Sequence, residues 1–156
     1  MKSFFLTVIV AVSAAIMGFA ENSLFKACED IPGVSSSYIG KAMLRHAVPA
    51  LIGHGVSGQA LNAGLEEVTI IEAETPASVE QVKKHLKSYE KSQKFELIMK
   101  SKDEGELTRI MQGKSPDGKY EFLLVTEEKD EVTIVILSSS QSFDNLNGIF
   151  MPNIVK

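Results

Sequence analysis

The feature that most constrains this chain is the spacing of four β-rich segments in its last third, residues 95–100, 106–112, 120–126 and 131–138. Only short polar connectors separate them: Lys102-Asp103-Glu104-Gly105, the stretch from Lys114 to Gly118, and Glu127-Glu128-Lys129-Asp130. Regular strands joined this tightly specify an antiparallel meander, because a parallel return needs a long crossover. Pro116-Asp117-Gly118 supplies the turn chemistry for one hairpin, with a preset φ followed by a residue tolerant of left-handed backbone. Residues 122–125 and 132–137 are apolar on both faces, so their strands are expected to be central and at least partly covered by helices.

The upstream part reads as helices mixed with two more strands. Residues 65–73 are rich in β-branched side chains and read as a strand. Thr75-Pro76 then marks a helix start, a hydroxyl N-cap followed by proline where its missing N–H costs nothing. Val79, Val82, Leu86 and Tyr89 form that helix's buried stripe, and Glu80 precedes Lys83, Lys84, Lys87 and Lys91 in the order the helix dipole favours. Residues 34–39 read as a short strand with a polar face. From Gly40 the pattern turns helical through Met43, Ala47 and Ala50, with Pro49 interrupting it. Leu24, Phe25 and Cys28 mark a short amphipathic piece ended by Pro32-Gly33, and a short helix is expected over 143–150, capped by Ser142 or Asp144. The expected architecture is a single α+β domain: an antiparallel sheet, mostly from the C-terminal four-strand meander, with two main helices packed on one face.

The N-terminus has one lysine, Lys2, an apolar run from Phe4 and the small-residue pattern Gly18-Phe19-Ala20. That three-part arrangement is the signature of a cleavable secretory signal over residues 1–20, leaving 21–156 as the folded domain. The expected location is therefore the periplasm or cell envelope. Cys28 is the sole cysteine, so no intramolecular disulfide is available and the thiol is expected to be a small buried hydrophobe. It does not directly follow the apolar run, so a lipoprotein anchor is not expected. Lys plus Arg number 16 against 20 for Asp plus Glu, which argues against nucleic acid as a partner.

Several motifs tempt and fail on context. Gly53-His54-Gly55-Val56-Ser57-Gly58 matches G-x-G-x-x-G, but it lacks a firm preceding strand and a firm following helix, so it reads as a glycine-rich loop. Ser57 beside His54 is not in a nucleophile elbow. His46, His54 and His85 are not spaced as zinc ligands, and the acidic turns lack calcium-loop spacing. The lysines from 83 to 91 read as a solvated helix face with at most peripheral attraction to an anionic membrane. No catalytic, cofactor-binding or metal-binding residue is assigned.

Three blocks carry a resemblance: Gly33-Val-Ser-Ser-Ser-Tyr-Ile-Gly-Lys-Ala-Met-Leu-Arg45, Phe95-Glu-Leu-Ile-Met-Lys100 and the stretch from Glu121 to Ser138. Their order resembles the domain of unknown function 4252 family, exported bacterial proteins with no activity to carry over. The resemblance spans roughly residues 24–150. Many members look like lipoproteins, whereas this chain has no cysteine at the signal boundary. The functional expectation is a non-catalytic binding or interaction module for an unknown protein or an apolar ligand, with Met43, Met99, Met111 and Met151 as candidates to line its surface, though core filling is the expectation for most of them. The alternative is a small envelope hydrolase using His54 or His46.

Overall fold

The computed structural model describes residues 22–44, 46, 64–115 and 117–142. In chain order the elements are α1 (Ser23–Cys28), β1 (Val34–Gly40), β2 (Leu65–Ala73), α2 (Pro76–Ser92), β3 (Glu96–Asp103), β4 (Glu106–Lys114), β5 (Tyr120–Glu127) and β6 (Val132–Ser139). Residues 41–44 are helical and directly follow β1. The segment expected to be helical over 143–150, the glycine-rich loop with His54 and Ser57, residues 1–20 and Met151 lie outside the described residues. No helix among the described residues is long and apolar enough to cross a membrane.

The chain forms one α+β domain on a single six-stranded antiparallel sheet, ordered β1-β2-β6-β5-β4-β3. β3 to β6 form the expected meander. The first hairpin turns on Glu104 and Gly105, both at positive φ, the combination a two-residue turn needs to match strand twist. Long-range pairing adds what local spacing cannot show: β2 lies against β6, Ile71 opposite Ile134 and Ile70 opposite Val135, and β1 then pairs with β2 at the edge. β5 and β6 are therefore interior strands.

Both sheet faces carry apolar side chains. On one, Ile71, Leu123, Val125, Ile134 and Ile136 pack with Leu24 and Cys28 of α1 and Val79, Val82 and Leu86 of α2. On the other, Ile39, Val68, Ile70, Phe122, Val135 and Leu137 cluster with Leu44 from the helical residues 41–44. α2 begins as its sequence specifies: the Ser78 N–H donates to Thr75 Oγ1 at 3.2 Å and the Thr75 N–H donates to Ser78 Oγ at 3.1 Å. An ion-pair network ties the helix to the meander. Arg109 reaches Glu90 at 3.0 Å and Glu127 at 2.9 Å, and Lys83 reaches Glu127 at 3.0 Å.

Candidate functional site

Among the described residues, α2 ends at Ser92 and α1 starts at Ser23, and these two termini meet at one end of the sheet. A recess of about 410 Å³ opens there, lined by residues from α1, α2, β1, β2, β5 and β6 together with the β4–β5 turn. Sheet alternation puts polar groups into it. Tyr38, Thr69 and Ile136 occupy neighbouring register positions, and Glu67, Ser138 and Glu121 form the next row. Glu121 thus shares a strand face with Leu123 and Val125, a glutamate where an apolar side chain would continue the pattern.

Two tyrosine–glutamate pairs organise the recess. Tyr89 is the last residue of the buried helix stripe, and its hydroxyl donates to Glu121 at 2.5 Å. Asn22 Nδ2 donates to the same Tyr89 oxygen at 2.7 Å, while Asn22 Oδ1 caps α1 by accepting from the Leu24 N–H at 2.9 Å. The Tyr89 ring packs against Phe95 with centroids 5.5 Å apart, and Phe95 has room because Gly113 beneath it has no side chain; a Cβ there would sit 2.9 Å from the ring. The second pair is Tyr38, whose hydroxyl bonds to the Glu67 carboxylate. Lys119 lies beside them, 2.8 Å from Glu66 and 4.0 Å from both Glu67 and Asp117. Asp117 accepts from the Ser115 hydroxyl.

These contacts fix protonation. Burial, then the charge of the neighbouring glutamate, drives both tyrosines well above the ordinary phenol range, so at neutral pH each is a donor and not a phenolate. Burial also raises Glu121, and the Asp117 and Glu67 charges add to it against the Tyr89 hydrogen bond. The Ser115 hydrogen bond lowers Asp117, and the Glu66 hydrogen bond raises Lys119. The tyrosine protons are committed to the glutamates, so the recess presents carboxylate and hydroxyl oxygens as acceptors beside one cation, a surface able to recognise a polar ligand by directed hydrogen bonds.

None of these residues is legible as a site from motifs. The available signals are subtle: Glu121 and Glu67 fall at inward positions of apolar strands, and Tyr89 ends a buried stripe with a hydroxyl that requires a partner. Of the histidines considered, His46 is exposed on a helical residue, His85 is half-buried on α2, and neither lines the recess. Met111 is core, Met99 is half-buried on β3, and Met43 packs against the second cluster, so these three do not form one ligand surface. Cys28 is fully buried, as expected, and burial pushes its thiol up to about 11. Among the described residues no group of three or more His, Cys, Asp or Glu is arranged to hold a metal ion.

The geometry defines a class: a compact α+β domain with a six-stranded antiparallel sheet, whose polar recess lies at the ends of its helices. The chain belongs to the family described as Domain of unknown function (DUF4252), whose model matches residues 28–147. That span holds both tyrosines, Glu67, Asp117, Lys119 and Glu121, while Asn22 precedes it. Comparisons with curated proteins and with solved structures gave no match.

Proposed function

We propose that the protein is an exported cell-envelope binding module, non-catalytic, whose recess takes a polar ligand bearing hydrogen-bond donors. The observation that carries this reading is the pair of tyrosine–glutamate couples, Tyr38–Glu67 and Tyr89–Glu121, lining one recess. Their hydroxyls are held protonated beside carboxylate acceptors, which suits recognition and leaves no activated nucleophile among these four groups. Export rests on the residue 1–20 signal pattern.

Native mass spectrometry of the protein recovered from its own cell envelope tests the reading. A reproducible small adduct is expected on the unaltered chain and is expected to be lost in a Tyr38→Phe, Glu67→Gln double variant. A bare mass from both, in gentle ionisation that preserves a control complex, contradicts the proposal.

A further inference from the structure

Resting on the reading of this recess as a ligand site, we propose that it takes a small organic cation, with a primary ammonium group seated over Ser138 between the Glu67 and Glu121 carboxylates. Thr69 and Ser138 both line the recess and are only 4% and 8% exposed, yet their hydroxyls meet no hydrogen-bond partner among the described residues. A side chain this buried ordinarily has its polar group paired, so each of these two leaves hydrogen-bonding capacity directed into the recess.

Strand order fixes where they sit. β2, β6 and β5 are successive strands, and Glu67, Ser138 and Glu121 are register partners across them. Neighbouring strands lie about 4.8 Å apart, so the two glutamates flank Ser138 at roughly 10 Å, backbone to backbone. Thr69 is one row along, two residues from Glu67 on β2 and opposite Tyr38 of β1. The floor of the recess is therefore a line of oxygens, carboxylate, hydroxyl and carboxylate, with a second hydroxyl at its side. Each glutamate accepts one tyrosine proton. A carboxylate has about four lone-pair sites, so acceptor capacity remains on both.

Charge sets the sign of the ligand. The recess is lined by Glu67, Asp117 and Glu121 against one cation, Lys119, whose closest ion pair is with Glu66 at 2.8 Å. Burial raises Glu121 and, against the Tyr89 hydrogen bond, so do the charges of Asp117 and Glu67. A cation between the glutamates relieves that repulsion. A primary ammonium carries three N–H donors and no acceptor, which matches three oxygens spread over three strands. A guanidinium is a planar fork that favours paired acceptors side by side. A metal ion fits less well, since among the described residues no group of three or more His, Cys, Asp or Glu is arranged to hold one. The volume of about 410 Å³ suits a small molecule.

Amide chemical-shift titration of the isotopically labelled protein, unfolded, dialysed and refolded to strip any ligand, reads the proposal. The probes are n-pentylammonium chloride, 1-pentanol, which lacks the charge, and tetramethylammonium chloride, which lacks the donors, at matched ionic strength. Pentylammonium is expected to shift the amides of Glu67, Thr69, Glu121 and Ser138 saturably, and the other two to bind about tenfold more weakly or not at all. Ser138→Ala removes a hydroxyl that has no partner among the described residues, so the fold is expected to persist while pentylammonium affinity drops about tenfold. Glu67→Gln, at a half-buried position, is expected to act in the same direction and keeps the test valid should the first variant fail to fold. Equal shifts from pentanol or from tetramethylammonium, no shift from any probe, or unchanged affinity in both variants overturns the proposal. So does displacement of pentylammonium by calcium at the same amides, which would assign the carboxylates to a metal ion. Native mass spectrometry of the protein from the envelope separates this failure from that of the reading beneath it. An adduct without ammonium preference leaves a ligand site for another chemical class, and a bare mass with no shift removes both.

Discussion

At the scale of single residues, the most consequential atom is the Tyr89 hydroxyl. It donates to Glu121 and accepts from Asn22, so it joins α2, β5 and the N-cap of α1. Replacing Tyr89 by Phe leaves a buried carboxylate without its donor and a side-chain amide without its acceptor, and is expected to cost about 1–3 kcal/mol. A urea denaturation midpoint unchanged from the parent would refute that role. Cys28 gives a second test at this scale. It is fully buried with a thiol pushed up to about 11, so it should stay unmodified by a thiol reagent at pH 8 in the folded protein and react at once on unfolding. Rapid modification under native conditions would mean that α1 leaves the sheet far more readily than its packing implies.

Among elements, α2 is the best specified and the most firmly tied. Its start, its proline and its apolar stripe are all readable in order along the chain, and Thr75→Ala is expected to cost about 0.5–2 kcal/mol through loss of the cap. The network on its outer side is a different kind of tie. Burial pushes Glu127 up, but Lys83 and then Arg109 outweigh it and hold the carboxyl below its ordinary 4.5. The folded-state value is the lower one, so this contribution is fully present above about pH 4.5 and is lost as the pH falls through the folded value. Arg109→Met should remove the smaller part of that acid dependence, Lys83 holding the rest, and lower stability at neutral pH by about 1–3 kcal/mol, since Glu90 would lose its partner and Glu127 one of its two. Denaturation curves of parent and variant across the acid range measure both. Parallel pH profiles would show that the acid dependence lies elsewhere. The strands sort differently. The meander was legible because its turns are local and chemically marked, and β5 and β6 because apolar residues at successive positions require cover on both faces. The pairing of β2 with β6 was not, since nothing near residues 65–73 says which strand they meet.

For the whole molecule, the same contrast explains why the fold could be read and the recess could not. A core announces itself through periodicity, whereas this recess is assembled from residues far apart in the chain, Tyr38 and Tyr89 among them, that share only a place at the helix ends. Glu121, like Glu67, gave only a subtle hint, a charged residue on the inward face of an apolar strand. The proposed export is likewise a matter of the whole molecule: N-terminal sequencing of the protein from the cell envelope should begin at Glu21, and a chain retaining Met1 in the cytoplasm would contradict it. The central claim concerns the recess, and amide hydrogen exchange examines it most directly. The protein recovered from the envelope is compared with the same protein unfolded, dialysed and refolded to strip any ligand. The account predicts slower exchange before stripping around Tyr38, Glu67–Thr69 and Lys119–Glu121, with the remainder of the sheet unchanged. Identical exchange in the two preparations, or a difference confined to another part of the domain, would contradict it.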